Sequence, residues 1–310
     1  MKNSKPQTEK PPVLVNNKCL IFLGCAIPYR VSSYEISSRK ILTKLGVELI
    51  EMSEFNCCGL PLDPINHEAM LVLAAKNLAI AEQQSLNILT LCTGCAGTLK
   101  KVTKLLKENN PLRQQINEQL QKANLEVKGT VETKHLLQFL KEDIGIDKIK
   151  AAVTKPHVGL KVAEHTGCHL LRPKQYNTFD NPEDPQIFKM LIEATGATCL
   201  DYVNKTECCG APSVGINDKI ALQLAKNKLS NIKNVQAQAL ITVCPYCHIM
   251  YDTNELRIEK LFNETYAIPI LHYPQLLGLA IGLKPEELAF NDLRVDPSKI
   301  LKQFSETANI

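Results

Sequence analysis

Two short stretches decide the fold: "FNCCGLP" at residues 55–61 and "TECCGAP" at residues 206–212. Adjacent cysteines followed by glycine thus occur twice, about 150 residues apart. The flanking segments correspond in the same order: "FLGCAIPYR" (22–30) with "HTGCHLLRP" (165–173), "ILTLCTGCAGTL" (88–99) with "LITVCPYCHIMY" (240–251), and "TKHLLQFL" (133–140) with "LHYPQLLGL" (271–279). Self-similarity at a fixed offset indicates an internal duplication. The sequence therefore predicts two homologous modules.

Strands and helices are predicted to alternate in the same order in both modules. In the first module we expect strands at Leu20–Leu23, Val47–Ile50 and 86–91, and helices at about 33–45, 66–84 and from the Cys-x-x-Cys onward. In the second module we expect strands at 160–165, 198–202 and 239–243, and helices at about 184–195, 217–235 and from 246. Continuous apolar strands between helices favour parallel sheets covered on both faces. The predicted fold is α/β, with two tandem modules, each a small parallel sheet flanked by helices.

The domain boundaries follow from this duplication. Residues 1–18 contain lysine, asparagine and proline but no apolar core of a signal peptide, and are expected to form a flexible N-terminal tail. The first module with its linker spans 19–155, and the second spans 156–290. Residues 291–310 are expected to form a C-terminal tail.

Composition excludes several classes of function. Lysine and arginine exceed aspartate and glutamate by only 36 to 32, without a basic run, which argues against nucleic-acid binding. The longest apolar stretches fall far short of the roughly 20 residues that a membrane-spanning helix needs. Twelve cysteines without an export signal favour metal ligation or redox chemistry over disulfides. We therefore expect a cytoplasmic protein that does not span a membrane.

Ten of the cysteines form two matched sets of five. The gaps between them are 31, 33 and 2 residues in the first set and 39, 34 and 2 in the second. The first quintet is Cys25, Cys57, Cys58, Cys92 and Cys95, and the second is Cys168, Cys208, Cys209, Cys244 and Cys247. Each group follows a predicted strand, so each quintet should lie at the carboxyl ends of the strands, where ligands bind parallel sheets. Cys19 and Cys199 have no counterparts and are expected to be buried small apolar residues.

The spacing within each quintet suits metal ligation. A Cys-x-x-Cys at a helix start places two thiolates near one metal, where the helix N-terminus offsets their charge. Gly59 and Gly210 should let the backbone turn tightly beside a bulky cofactor. A structural zinc or a cubane iron–sulfur cluster uses four ligands, yet five are present. Either one thiol of each quintet is free, or the cluster is larger or more open than a cubane.

These motifs resemble a known family. The pattern Cys-x(31–39)-Cys-Cys-Gly-x(32–33)-Cys-x-x-Cys, present twice, resembles the cysteine-rich CCG domain, and the chain from about Leu20 to Leu283 is similar to the B subunit of heterodisulfide reductase. The resemblance implies two noncubane [4Fe-4S] clusters, each ligated by one quintet. It also implies that a disulfide substrate lies between the clusters and is cleaved reductively, or formed in the reverse direction.

The resemblance also implies partners. The sequence lacks the C-x-x-C-x-x-C-x-x-x-C-P motif of cubane clusters, so electrons should come from outside the chain. By resemblance, the donor is a ferredoxin-like protein, the C subunit of such a complex, which receives electrons from its flavin-containing A subunit.

Several charged or ionisable residues lie near the quintets in sequence. His165, His169 and His248 are candidates for hydrogen bonding or proton supply, and Arg30 and Arg172 are candidates for binding an anionic substrate tail. His135 and His272 occupy matching positions and are expected to cap helices or pack.

Two other functions remain open at this point. CCG modules also occur in electron-transfer subunits of dehydrogenases that act on lactate, glycolate or succinate, although the ferredoxin-like segment common in those chains is absent here. A zinc-stabilised assembly protein is the third reading, in which each quintet holds one zinc and a spare thiol.

Overall fold

The computed structural model describes residues 18–307. Residues 1–17, which make up nearly all of the predicted N-terminal tail, and residues 308–310 lie outside the described part of the chain.

The first module contains four strands and the helices between them. Its elements are β1 (Lys18–Phe22), α1 (Ile27–Arg30), α2 (Ser32–Lys44), β2 (Glu48–Ile50), α3 (His67–Gln84), β3 (Ile88–Thr90), α4 (Thr93–Glu108), α5 (Asn110–Leu120), β4 (Thr133–His135), α6 (Leu136–Phe139) and α7 (Ile146–Ala152).

The second module repeats this order, and its last strand is again followed directly by a helix. Its elements are β5 (Lys161–His165), α8 (Cys168–Leu171), α9 (Ile187–Glu193), β6 (Thr198–Leu200), α10 (Asp218–Asn234), β7 (Ala239–Thr242), α11 (Pro245–His248), α12 (Glu255–Phe262), β8 (Ile270–His272), α13 (Tyr273–Ala280) and α14 (Ser298–Thr307).

The two sheets have the same topology. The strand order is β2-β1-β3-β4 in one and β6-β5-β7-β8 in the other, and all neighbouring strands are parallel. The predicted α/β fold of two tandem modules is confirmed, including the six predicted strands. The edge strands β4 and β8 were not predicted, because each runs directly into a helix with no turn residue between them.

The long helix after each CCG loop begins in the same way. Asn66 caps α3 by accepting a hydrogen bond from the Ala69 amide (2.9 Å), and Asn217 caps α10 by accepting one from the Ile220 amide (3.2 Å). An asparagine cap satisfies an amide that the first helical turn leaves without a partner. The start of the helix, and hence the end of the loop, is therefore fixed alike in both modules.

One hydrophobic core spans both modules, and a second core cluster lies within the second module. The helix after the last strand of each module packs on the first long helix of the other, so α13 contacts α2 and α6 contacts α9. Leu42, Leu137, Leu191 and Leu277 are fully buried in this shared core. Because burying apolar area is the main stabilising contribution to folding, the modules fix one another's position.

The C-terminal segment packs on the second module. The carboxylate of the buried Asp252 accepts hydrogen bonds from the amides of Arg294 and Val295, and Ile300 is buried. Among the helices that the structure describes, none is long and apolar enough to cross a bilayer.

Both glycines of the CCG motifs have left-handed backbone conformations. Gly59 has φ of 88° and Gly210 has φ of 87°. A Cβ atom on Gly59 would lie 2.8 Å from the Met70 carbonyl oxygen, and one on Gly210 would lie 2.5 Å from that of Ala221. The space that these glycines leave is therefore occupied by the backbone of α3 or α10, which lets the cysteine loop lie against that helix.

Substituting Gly210 by Ala should lower the free energy of unfolding by about 3 kcal/mol, through left-handed strain and a clash with the α10 backbone. Gly215 is the matched control, because it has φ of 84° and a Cβ added to it would meet no atom within 4 Å. Gly215→Ala should lower the free energy of unfolding by about 1 kcal/mol, because only the left-handed strain applies there. Denaturant titration measures both values, and equal costs would contradict the clash.

Candidate metal centre

The five thiols of the first quintet lie together at the carboxyl edge of its sheet. Cys58 is in hydrogen-bond contact with Cys57 and Cys95, and Cys95 is in contact with Cys92. The charge of Cys25 also acts on Cys57. Three separate strand ends thus supply one group of sulfurs, as the sequence predicted from the parallel order of the strands.

The second quintet repeats this arrangement. Its thiols form a contact chain in which each sulfur meets the next: Cys168, Cys208, Cys209, Cys247 and Cys244. In both quintets the two thiols of the Cys-x-x-Cys motif are buried at the start of a helix, where Cys92 precedes α4 and Cys244 precedes α11.

Backbone and thiol donors stabilise negative sulfur in both quintets. The Gly59 amide donates to Cys57 Sγ (3.5 Å) and the Gly210 amide donates to Cys208 Sγ (3.4 Å). Hydrogen bonds from the thiols of Cys57 and Cys95 lower the pKa of Cys58 to about 3. Hydrogen bonds from Cys168 and Cys209 likewise lower the pKa of Cys208 to about 2.

This donor set fits an iron–sulfur cofactor. Cysteine thiolates are the ligands of such clusters, and they must be deprotonated to bind. Each quintet offers more thiols than one tetrahedral zinc uses. Cys19 and Cys199, expected to be buried apolar residues, are buried in the core, and burial raises the pKa of Cys19 to about 12.

Both quintets open into one cavity of about 520 Å³ between the modules. This volume lies in the range of small-molecule sites. Thiols of both quintets line it, together with mainly apolar residues from the two CCG loops: Leu60, Pro61, Pro64, Ala211, Pro212 and Val214. The candidate site is therefore one chamber with a group of sulfurs on either side.

Three polar side chains reach across the cavity from one module to the other. The Tyr246 hydroxyl lies 3.9 Å from Cys25 Sγ of the first module. His169 lies against the first turn of α4, where a Cβ on Gly94 would be 3.4 Å from its Nδ1 atom. Thr93 of α4 hydrogen-bonds to Cys244 of the second module. Sequence reasoning missed Tyr246 and Thr93, although both lie inside the quoted Cys-x-x-Cys motifs.

The other candidate residues are distributed differently. His169 lines the cavity, whereas Arg30 and Arg172 are not among its described lining residues. Arg172 instead donates to the Pro182 carbonyl oxygen (2.9 Å) and pairs with Glu183. His248 is buried behind the cavity and stacks on His272 with ring centroids 3.7 Å apart.

His165 is buried beside the second quintet. A ring nitrogen of His165 and the sulfurs of Cys209 and Cys247 lie within 4.8 Å of one another. His165 Nδ1 lies 3.4 Å from Nζ of the buried Lys228. Sequence reasoning did not single out Lys228, because one lysine in an amphipathic helix looks like a surface residue.

His135 joins the two modules behind the quintets. Its Nδ1 atom accepts a hydrogen bond from the Leu137 amide (3.2 Å), so the proton is on Nε2, which donates to the carbonyl oxygens of Leu91 and Val243 (3.1 Å each). The Tyr34 hydroxyl also donates to the carbonyl oxygen of Val243 (3.0 Å). The expectation that His135 caps a helix is confirmed, and His272 packs between Tyr34 and His248 as expected.

Comparisons with known proteins agree with this arrangement. The profile of a family described as cysteine-rich domain, CCG, matches residues 19–100 and 162–252. The chain is 35% identical to the B subunit of the Ferredoxin/F(420)H(2)-dependent CoB-CoM heterodisulfide reductase of Methanosarcina acetivorans, over 93% of this chain and 97% of that relative. It is 31% identical to the 8-methylmenaquinol:fumarate reductase membrane anchor subunit of Wolinella succinogenes, over 90% of this chain and 97% of the relative.

A solved structure shares the fold. The crystal structure of a hypothetical protein from Helicobacter pylori superposes with a TM-score of 0.75 at 18% identity. The match covers 94% of this chain but only 53% of that one, so the present chain spans about half of that structure's length.

The buried, neutral His135 should make stability depend on pH. Burial lowers its pKa from 6.5 to about 3. Between these values the unfolded chain binds a proton that the folded chain does not, so stability falls as pH drops from 6.5 toward 3. His135→Gln should remove this contribution, which has a slope of about 1.4 kcal/mol per pH unit. Denaturant titration across this pH range measures the difference from wild type.

Tyr34→Phe is the matched control for this prediction. It removes the other donor to the Val243 carbonyl oxygen, but the pKa of Tyr34 is raised well above 10 by burial. Its difference from wild type should stay constant with pH. If the difference in the free energy of unfolding between His135→Gln and wild type also stays constant with pH, the pH dependence does not come from His135.

Proposed function

Because the chain belongs to the family of heterodisulfide reductase B subunits and similar proteins with CCG cysteine-rich domains, we propose that it cleaves or forms a disulfide between two iron–sulfur clusters. The observation that carries this proposal is the single cavity into which both quintets open. The chain is thus the iron–sulfur subunit in which the sulfur chemistry of a reductase complex takes place.

Each quintet would hold one noncubane [4Fe-4S] cluster. In this proposal all five thiols of a quintet are ligands, so none is left over, whereas a cubane would leave one free. The two modules, 19–155 and 156–290, are each the unit that carries one cluster. When bound, the clusters would supply the two electrons that divide a disulfide into two thiolates.

The overall reaction in the reductive direction is R-S-S-R′ + 2 e⁻ + 2 H⁺ → R-SH + R′-SH. The apolar loop residues on both sides of the cavity exclude water and hold the organic parts of the substrate. Burial and the charge of Cys25 raise the pKa of Tyr246, so its hydroxyl keeps its proton and donates a hydrogen bond. Tyr246 and His169 are two polar residues of the cavity that can orient a substrate sulfur.

The proposed partners supply the electrons. A ferredoxin-like C subunit would dock beside the cavity and receive electrons from a flavin-containing A subunit, in a cytoplasmic complex. The exposed apolar side chains of Tyr29, Ile65 and Ile216, which follow cluster-bearing loops, are suited to such a contact.

A second candidate function is electron transfer without sulfur chemistry. The relative from Wolinella succinogenes is named as part of a fumarate reductase, so CCG chains of this size also occur in complexes with other substrates. In that reading the cavity would hold no disulfide, and this chain would conduct electrons in a dehydrogenase or reductase of the succinate type.

Metal analysis tests the cofactor. Anaerobically purified protein should contain about eight irons and eight acid-labile sulfides per chain, or about four after Cys208→Ser with Cys209→Ser. Cys19→Ala with Cys199→Ala is the matched control, since these cysteines lie outside the quintets and should leave the iron content unchanged. Zinc without iron would instead support the assembly protein and rule out both redox functions.

Single-turnover reaction with a disulfide tests the activity. Chemically reduced protein should be reoxidised by the substrate disulfide, releasing two thiols for every two electrons. Tyr246→Phe should slow thiol release about tenfold, because it removes one hydrogen bond to charged sulfur, with no change in iron content. Stopped-flow absorbance and thiol titration measure both quantities. Reoxidation by electron acceptors but by none of the candidate disulfides would favour pure electron transfer.

A further inference from the structure

The two quintets have different surroundings. At three positions with the same spacing to the quintet cysteines, the first module has apolar or neutral side chains and the second has ionisable ones. The pairs are Phe22 and His165, Asn77 and Lys228, and Leu99 and Tyr251. All six side chains are buried. The duplicated fold therefore presents two similar groups of thiols with unequal electrostatic environments.

Lys228 and Asn77 each anchor the CCG loop of their module, but only Lys228 carries a charge. Lys228 donates to the carbonyl oxygens of Asn204 and Lys205 (2.8 Å each), which holds the CCG loop of the second module against α10. Asn77 holds the first loop by accepting from the Asn56 amide (2.8 Å) and donating to the Cys57 carbonyl oxygen (3.1 Å). A neutral side chain is thus enough to anchor the loop, so anchoring alone does not require a buried ammonium.

His165 lies beside both Lys228 and the second quintet. The Lys228 ammonium donates to the two loop carbonyl oxygens, and its Nζ atom lies 3.4 Å from His165 Nδ1. The His165 ring also hydrogen-bonds to the Lys205 backbone. One ring nitrogen of His165 lies within 4.8 Å of the sulfurs of Cys209 and Cys247. A positive charge and an imidazole ring are therefore buried beside these sulfurs.

Tyr251 adds a buried hydroxyl group next to His165. Its ring packs edge-on against His165 with centroids 5.5 Å apart, and its buried hydroxyl has no partner in the described part of the chain. The matching residue of the first module, Leu99, offers no donor.

We propose that the buried Lys228–His165 pair makes the cluster of the second module the more readily reduced of the two. Adding an electron increases the negative charge on a cluster, and a nearby positive charge and N–H···S hydrogen bonds stabilise that form. The first module has neither Lys nor His at these positions. This inference depends on the proposed function, because it needs both clusters to be present.

Electron order follows from this asymmetry. The first electron from an outside one-electron donor would go to the second module's cluster, and the second electron to the first module's cluster. Both electrons, with two protons, would then pass to the substrate disulfide and release two thiols.

Potentiometric titration followed by EPR tests the order in full-length chains that keep one cluster. Cys57→Ser with Cys58→Ser leaves the second cluster, and Cys208→Ser with Cys209→Ser leaves the first. The reduction potential of the second cluster should be higher than that of the first by at least about 59 mV, which corresponds to a tenfold equilibrium constant for one electron. Lys228→Asn, which copies the first module, should remove most of this difference. Lys219→Asn removes the same charge from the exposed start of α10 and should change nothing.

Other outcomes separate the inference from the proposed function. Two bound clusters with equal or reversed potentials would overturn the inference and leave the proposed function standing, whereas absence of iron would overturn both. If Lys228→Asn does not fold, the order in the two single-cluster chains still decides the question, and Lys228→Arg should preserve it. With ¹⁵N-labelled histidine, weak nitrogen coupling that is lost in His165→Phe supports a hydrogen bond. Strong coupling would mean that His165 is a ligand and would overturn its role as a donor.

Discussion

Parallel strands that end at a common edge are the constraint on which this protein depends. Cys25, the Cys57–Cys58 pair and Cys92 are far apart in sequence, yet each follows a strand of one parallel sheet. The geometry of the sheet therefore brings them together, and all of these cysteines have free thiols. The glycine after each cysteine pair then lets the loop lie directly on the following helix, which keeps the two middle sulfurs in place.

The second constraint is the packing of the two modules against each other. Their hydrophobic core is continuous, because α13 packs on α2 and α6 packs on α9. Behind the cavity, the carbonyl oxygen of Val243 accepts hydrogen bonds from both Tyr34 and His135 of the first module. These contacts hold the two groups of thiols on opposite sides of one cavity, and a disulfide bound there would have one group near each of its sulfurs.

Sequence reasoning predicted the features that follow from local sequence patterns. It did not predict those that depend on contacts between distant parts of the chain. The repeated cysteine motifs and the apolar strand runs predicted the fold and both groups of thiols. The strands β4 and β8 were not predicted because each runs directly into a helix, so no turn residue marks where the strand ends. Lys228 and Tyr246 could not be predicted, since periodicity describes which face of a helix is apolar but not what lies opposite it. A site between the two groups of thiols was implied only by the resemblance to a known family.

Two of the three polar side chains that reach across the cavity belong to the second module. His169 and Tyr246 reach toward the first module, while the residues at their matching positions there are Ala26 and Gly94, which have no polar side chain to return the contact. The two walls of the cavity therefore differ in polarity, although both modules repeat the same fold around it. A ligand with two unlike ends would meet two unlike walls, and the protein could discriminate its head from its tail.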